Sequence, residues 1–202
     1  MKALYFFIIM SCFFIKNHAQ NNVVKLIESQ TAPVIIDGKL AEQEWLDAQE
    51  VLIPGITDRE VTVLLKYDTD NIYIAFKNLT DAQNINSNAE VLVHTNIEGD
   101  AWNENCYWFH SSYGNCSAIG QYYYWDDCTT NPTGWIANTF PFNSDNNNME
   151  FKISFSKLNI TPTKGKQLKM AFKLSNPLEQ HTYWPQHAVI ENPLSWGTIV
   201  FN

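Results

Sequence analysis

The sequence predicts an all-β protein, an antiparallel β-sandwich with one short helix near its N-terminus. Two observations favour this fold class. Several stretches alternate apolar and polar residues with a period of two, which buries one face of a strand and leaves the other in water, as in antiparallel sheets. Only one stretch has helical character, and turn residues separate the many short candidate strands, as is typical of a sandwich.

The clearest strand signals lie in the middle and towards the end of the chain. Residues 61–67 and 72–77 alternate around the turn-rich connector 68–71, which predicts a β-hairpin. Residues 149–156 and 168–174 alternate in the same way. The shorter candidate strands are 23–28, 33–36, 90–95, 105–112, 119–125, 134–139 and 196–201.

The predicted helix covers residues 40–48, directly after the turn at Asp37-Gly38. It is short, and Trp45 is available to pack inward from it. The sequence contains no internal repeat and no obvious linker. Residues 20–202 are therefore predicted to form one domain.

Residues 1–19 have the pattern of a secretory signal peptide. A short basic start, Met1-Lys2, is followed by an apolar run of 13 residues at 3–15 and by a small residue, Ala19, near the expected cleavage point. The run is too short for a stable membrane anchor, which needs roughly 20 apolar residues. The alternatives are a buried N-terminal helix and a lipid-anchored Cys12, and the apolar residues directly after Cys12 argue against the second. We expect a secreted protein, periplasmic or extracellular, without stable membrane insertion.

The composition excludes two broad classes of protein. With 13 Lys and Arg against 21 Asp and Glu, the chain has a formal net charge of −8, which argues against nucleic acid as a partner. It is 45% hydrophobic and 17% charged, so it is not an intrinsically disordered protein.

Three cysteines remain after the leader: Cys106, Cys116 and Cys128. An exported protein is expected to form one disulfide among them and to keep one free thiol. Either Cys106–Cys116 or Cys116–Cys128 is compatible with the spacing. A zinc site is disfavoured because the spacing is wide and contains no CxxC.

Residues 101–140 are the most distinctive part of the sequence. They contain eleven aromatic residues, three acids and no Lys or Arg. The aromatic residues are Trp102, Tyr107, Trp108, Phe109, Tyr113, Tyr122, Tyr123, Tyr124, Trp125, Trp135 and Phe140. Flat rings among neutral hydrogen-bonding residues suit sugars, whose C–H faces stack on rings and whose hydroxyls need polar partners. The alternative is that these rings only fill the core of the sandwich.

Other chemistries have weaker signals. Asn96, Glu98 and Asp100 cluster after a predicted strand and are candidate calcium ligands. A Met/His pair drawn from Met149, Met170 and the histidines is a candidate haem ligand set, although a Met on an inward face is usually core filler. No segment presents a recognisable carboxylate pair for glycoside hydrolysis.

Several segments, in this order along the chain, resemble the family 9 carbohydrate-binding-module-like domain, a branch of the DOMON-type sandwiches. The opening at 32–45, with Asp37-Gly38 and Trp45, is similar to the family's entry strand, turn and short helix. The hairpin at 61–78 and the strand at 149–153 are similar to later family strands. Trp184-Pro185 and the stretch 193–197 are similar to its ending. An alanine stands at position 41, where an acidic residue is commoner in the family.

The resemblance implies a β-sandwich that binds carbohydrate, often in support of glycoside hydrolases and sometimes with structural calcium. It implies that two Trp rings sandwich a terminal sugar, and that Trp45 and Trp196 belong to the core. The remaining candidates for the carbohydrate-binding site are Trp102, Trp125, Trp135, Trp184 and Tyr123.

The sequence therefore predicts a non-catalytic module that binds a poly- or oligosaccharide on an aromatic groove and takes part in carbohydrate catabolism. No cofactor is required, and calcium is the one metal with candidate ligands. Two alternatives stay open: a haem-binding electron-transfer module of the DOMON type, and a small glycoside hydrolase.

Overall fold

The computed structural model describes residues 22–55, 60–79, 88–112, 115–119, 125–127, 133–138, 148–176 and 180–202. The predicted signal peptide, residues 1–19, lies outside the described residues. Within the described residues, no helix is long and apolar enough to cross a membrane.

The described residues form thirteen strands, one short α-helix and a 3-10 turn. In chain order they are β1 (Val23–Leu26), α1 (Glu42–Trp45), β2 (Gln49–Pro54), β3 (Glu60–Tyr67), β4 (Asn71–Lys77), β5 (Asn88–His94), β6 (Cys106–Ser112), β7 (Asn115–Ile119), β8 (Trp125–Asp127), β9 (Trp135–Ala137), β10 (Met149–Ser154), β11 (Gln167–Ser175), β12 (His181–Trp184), the 3-10 turn (Pro193–Ser195) and β13 (Gly197–Phe201).

These strands form two sheets that pack face to face. The larger sheet has the order β1-β13-β11-β5-β6-β7-β8, with β12 also paired to β11, and the smaller has the order β2-β3-β4-β10-β9. The strand pairs among the described residues are antiparallel except for β1 with β13. The prediction of an all-β sandwich with one short helix is confirmed.

The individual elements were predicted unevenly. The hairpin is confirmed as β3 and β4, where Val63 pairs with Phe76 and Leu65 with Ile74. The helix was predicted over 40–48, and the structure has a shorter one, Glu42–Trp45. The predicted strand 33–36 is wrong, since that segment has no strand pairing among the described residues. The candidate 119–125 joins the end of β7 to the start of β8, and residues 120–124 lie outside the described residues.

The core lies between the two sheets and is filled by the inward faces of their strands. Phe76, from the smaller sheet, is central: its ring lies 5.8 Å from that of Phe151 and 5.9 Å from that of Phe172, both edge to face. Edge-to-face contacts at such distances add to the area that the rings bury. Met149 and Met170 also lie in this core, as fillers rather than as exposed ligands.

The segment that precedes β2 covers the outer face of the smaller sheet. Trp45 packs there with Val34, Leu64, Tyr73 and Ala75 in a second apolar cluster. The Asp37-Gly38 turn is possible because Gly38 adopts a φ of 76°, in the left-handed region that favours glycine. This cluster gives a physical reason for the sequence pattern of an apolar strand, Asp-Gly and a helix with Trp.

Two buried ionisable side chains hold this segment on the sheet. The Glu150 carboxylate, on β10, accepts hydrogen bonds from the backbone N–H of Asp37 (3.1 Å) and Gly38 (2.5 Å) and from Trp45 Nε1 (3.2 Å). Lys66 Nζ, on β3, lies 2.8 Å from the carboxylate of Asp47. Burial acts to raise the pKa of Asp47, but its hydrogen bonds, that of Lys66 first, lower it to about 2. The chain's own N-terminal segment therefore closes one outer face of the sandwich.

A close backbone approach at Gly197 gives a stability prediction. A Cβ at this position would overlap the six-membered ring of Trp184, which is fully buried and stacks on Phe172 at 5.3 Å. We expect Gly197→Ala to lower the free energy of unfolding by about 1–3 kcal/mol, measured by chemical denaturation, because a packed core does not absorb an extra methyl group.

The control for this prediction is a double-mutant cycle with Trp184→Leu, which removes the overlapping ring. If the overlap is the cause, Gly197→Ala costs much less in the Trp184→Leu background than in the wild type. Equal losses in both backgrounds would contradict the explanation.

The cysteines limit the possible disulfides. Cys106 is a free, buried thiol whose pKa is raised to about 11 by burial, so a Cys106–Cys116 bridge is not formed. Cys116 is half of a disulfide whose other half lies outside the described residues. Cys128, its predicted partner in the alternative pairing, is one of the residues outside the description.

Candidate functional site

The outer face of the larger sheet carries a row of polar side chains that crosses its central strands. The register places Lys173 on β11 opposite Glu90 on β5, Glu90 opposite His110 on β6, and His110 opposite Ser117 on β7. Tyr183 on β12 lies opposite Lys173 and extends the row at the other end. Neighbouring strands are roughly 4.8 Å apart, so these side chains lie next to one another along one line.

Glu90 is the centre of this polar row. Its carboxylate is 2.7–3.1 Å from four donor contacts: Lys173 Nζ to both oxygens, Ser175 Oγ to Oε1 and Trp108 Nε1 to Oε2. The side chains of Glu90 and Lys173 are only 3% and 10% exposed. A buried charge pair of this kind is tolerated only when each member keeps its partners, so the arrangement is rigid.

The Glu90–Lys173 pair fixes the ring of Trp108. The indole N–H donates to Glu90, and Lys173 Nζ lies over the ring at 5.2 Å from its centroid. A cation at this distance is attracted by the ring electrons. Trp108 is half-buried, so part of a pre-positioned indole is open to the surroundings.

Trp108 belongs to a cluster of three indoles on the same face, with Trp102 in the middle. The ring of Trp102 lies 6.3 Å from that of Trp108 and 6.3 Å from that of Trp196. Trp196 is 2% exposed and donates its N–H to the carbonyl of Val189 at 2.8 Å, so it forms the base of the cluster. Trp102, like Trp108, is half-buried.

The titratable groups of the face are shifted by the same burial. Burial lowers the pKa of His110, and Lys173 lowers it further, while Glu90 opposes both. Burial raises the pKa of the Tyr183 hydroxyl, helped by Glu90 and Glu191. At neutral pH the face therefore presents an uncharged imidazole and an uncharged phenol beside a charge pair that neutralises itself.

Comparison with solved structures identifies the fold. A carbohydrate binding module of family 9 from Caldicellulosiruptor kristjanssonii in complex with cellotriose has a TM-score of 0.57 to this chain at 12% identity, over 89% of this chain and 93% of that one. A family 9 module from the same organism in complex with glucose has a TM-score of 0.55 at 14% identity, over 89% and 96%. The chain has the fold of a family 9 carbohydrate-binding module. No protein-family model and no curated protein matches the sequence.

These similarities confirm the fold that the resemblance implied, but they do not assign a ligand or site residues to this chain. The family 9 fold is confirmed, and both related structures are named as binding modules. Their identity to this chain is too low to transfer a ligand or a site residue. The wider relation to DOMON-type proteins is not supported by them.

The predicted site residues divide into three groups. Trp102 lies in the indole cluster on the outer face. Trp125 begins β8, where its backbone pairs with Ile119, which in turn pairs with Trp108; its side chain lies outside the described residues, as does the whole of Tyr123. Both therefore stay predictions.

Trp135 and Trp184 are corrections to the predicted site. They are 2% and 0% exposed and belong to the main core between the sheets. Trp135 packs edge to face on Phe109 at 5.2 Å, and Trp184 stacks on Phe172. Neither ring offers a face to a ligand without opening the core. Trp45 and Trp196 are buried, as expected, but in the two clusters on the outer faces rather than between the sheets.

Sequence reasoning missed Trp108, Glu90, Lys173 and Tyr183. One signal was present: Glu90 and Lys173 are charged residues inside strands that are otherwise apolar, at Ala89–Val91 and Phe172–Leu174. Charged groups in the middle of a buried strand need a partner, which marks them for attention. The sequence alone did not indicate that they were each other's partner.

The candidate metal and catalytic groups do not assemble among the described residues. Asn96 Oδ1 accepts the backbone N–H of Glu98 within an exposed turn, and no three His, Cys, Asp or Glu residues converge in the described part of the chain. The two most buried carboxylates, Glu90 and Glu150, lie on the outer faces of different sheets. They do not flank a common groove.

Proposed function

We propose that this chain is a non-catalytic carbohydrate-binding module that holds a poly- or oligosaccharide on the outer face of its larger sheet. The observation that carries the proposal is the pair of half-buried indoles, Trp102 and Trp108, whose rings lie 6.3 Å apart, with Trp108 held in place by the Glu90–Lys173 pair. Rigid aromatic surfaces bind at low entropic cost, because little side-chain freedom remains to be lost. The neighbouring hydroxyl and imidazole groups supply the hydrogen-bond partners that sugars need.

The fold supports this proposal independently of the indoles. Structures with the same fold are known in complex with cellotriose and with glucose. The opposite outer face of this chain is covered by its own N-terminal segment, whereas on the larger sheet the segment after β12 covers part of the face and leaves Trp102 and Trp108 half-buried.

Secretion and the role in glycan breakdown are further parts of the proposal. We propose that residues 1–19 direct export, that Cys116 pairs with Cys128 in the oxidising compartment, and that the module supports glycoside hydrolases by holding them near their substrate. Cys106 remains a free thiol in this arrangement.

Truncation of one half-buried indole tests the proposed site. Titration calorimetry against glucose, cellotriose and a panel of polysaccharides is expected to find at least one ligand, and Trp102→Ala is expected to weaken its binding by roughly tenfold, because one stacking surface is lost. Leu46→Ala is the matched control, since Leu46 is 73% exposed and lies on the segment that covers the other sheet. Binding that is unchanged in Trp102→Ala, or absent across the panel for the wild type, would contradict the proposal.

A further inference from the structure

His110, in the polar row on the larger sheet, has a ring nitrogen outside the hydrogen-bond network of that row. Its Nδ1 is shielded from solvent and has no hydrogen-bond partner among the described residues. The neighbouring side chains of Glu90, Lys173 and Ser175, by contrast, form hydrogen bonds with one another. A buried polar atom without a partner is costly in a folded protein, so such an atom beside a binding surface points to a missing partner.

The position of His110 relative to Trp108 suggests what that partner is. The two residues are separated by one position on β6, so their side chains project from the same face of the sheet, about 6.6 Å apart along the strand. A sugar ring stacked on the open part of Trp108 would bring its edge, where the hydroxyls are, towards the imidazole. Because Nδ1 has no hydrogen-bond partner, no bond at that nitrogen holds the imidazole in one of its two flipped orientations.

The charges around His110 define the class of ligand. Lys173 is paired with Glu90, and Lys169, on the same face of β11, donates to Thr198 Oγ1 at 3.1 Å and to the carbonyl of Trp196 at 3.4 Å. The two lysines of β11 on this face are thus engaged, the exposed Lys25 on β1 lies four strands away from His110, and the protein carries a net charge of −8. An uncharged sugar meets no penalty here, whereas a sulfated or uronic sugar would bring a negative charge to a place where the neighbouring lysines already have partners.

We propose that His110 is the specificity-determining residue of the groove, and that it exchanges a hydrogen bond with one hydroxyl of an uncharged sugar stacked on Trp108. A neutral imidazole has one donor and one acceptor, which matches a hydroxyl group that also both donates and accepts. This inference rests on the proposed carbohydrate binding and adds to it the residue that reads the ligand and the class of sugar that is read.

The test is a double-mutant cycle in which one change removes the imidazole from the protein and the other removes a hydroxyl group from the sugar. Glucose and its 2-, 3- and 6-deoxy forms are compared as competitors of cellotriose, with the wild type and with His110→Phe, which keeps a flat ring and removes both nitrogens. In the wild type, one deoxy form is expected to bind roughly tenfold more weakly than glucose; in His110→Phe, glucose itself is expected to lose about the same factor, and that deoxy form is expected to lose nothing further. A purely structural role for His110 would weaken all four sugars equally.

Two further measurements separate the outcomes. His187→Phe, an exposed histidine in the loop after β12, is the matched control and is expected to leave the deoxy pattern intact. His110→Gln keeps hydrogen-bonding capacity, and nitrogen NMR of the wild-type imidazole follows the ring directly, so the inference does not depend on the folding of His110→Phe. Suppose that the wild type binds sugar, that His110→Phe ranks the deoxy sugars as the wild type does, and that the nitrogen resonances of His110 do not shift on binding. This result overturns the inference about His110 and leaves the proposed function standing. Failure of the wild type to bind any sugar overturns the proposed function as well.

Discussion

Replacing Glu90 by alanine is expected to lower the free energy of unfolding by about 3–5 kcal/mol. The variant leaves the ammonium group of Lys173 buried without its counter-charge, since the lysine side chain is only 10% exposed. It also removes the acceptor of Trp108 Nε1 and of Ser175 Oγ. Chemical denaturation at neutral pH measures the loss, and a value below about 1 kcal/mol would contradict the view that this pair is desolvated.

A control with both charges removed separates charge burial from packing. In the double variant Glu90→Leu with Lys173→Met, no charge is left without a partner, so most of the lost stability is expected to return. The orientation of Trp108 is not restored, because leucine does not replace the carboxylate that accepts its N–H in the wild type. We therefore expect a double variant that folds but binds its sugar more weakly than the wild type, which would show that the pair positions the indole rather than merely stabilising the sheet.

The parts of the fold that could be predicted are those whose contacts join residues close together in the sequence. The hairpin of β3 and β4 follows from alternation in two adjacent stretches and a turn between them, all within residues 61–77. The strand predicted at 33–36 is wrong because the contacts of that segment are with residues that are distant in the sequence. That apolar stretch has the composition of a strand, but its partners are Trp45 and the outer face of the smaller sheet, which no local pattern encodes.

The candidate site was harder to predict because long-range pairing creates it. Glu90 and Lys173 are 83 positions apart and meet only because β5 pairs with β11. Trp108 lies between Tyr107 and Phe109, so the contrast between polar and apolar residues that normally identifies a strand's outer face is absent. An excess of aromatic residues therefore indicated the region, whereas the sides of the sheets taken by Trp108 and Trp135 were decided by the partner strands.

Glu150 illustrates how a distant residue explains a local motif. The Asp37-Gly38 turn and Trp45 look like a self-contained signature, yet their three N–H groups all donate to one carboxylate more than a hundred positions away. The same residue receives support from Asn138, whose side chain accepts the backbone N–H of Glu150. The N-terminal segment is thus held by a buried acid that the motif itself does not contain.

The buried acid predicts an unusual dependence of stability on pH. Burial raises the pKa of Glu150 to about 7, against the opposing effect of the hydrogen bonds that it accepts, while the carboxyl titrates near 4.5 in the unfolded chain. Between these values the folded protein binds the proton and the unfolded chain does not. The stabilisation is therefore fully present below about pH 4.5 and is lost as the pH rises through 7, a change on the order of 3 kcal/mol.

The measurement is the free energy of unfolding between pH 4.5 and 8 for the wild type and for Glu150→Gln, which keeps an acceptor oxygen but does not titrate. The buried His94 and the half-buried His110 have lowered pKa values and therefore act in the opposite direction, stabilising the fold as the pH rises. Both proteins contain them, so their contribution cancels in the difference. We expect the advantage of the wild type over the variant to shrink steadily from pH 5 to pH 7.5, since the variant has no charge to bury. Parallel profiles would mean that the Glu150 carboxyl is already ionised in the folded protein at pH 5, held in that form by the three N–H donors of the N-terminal segment.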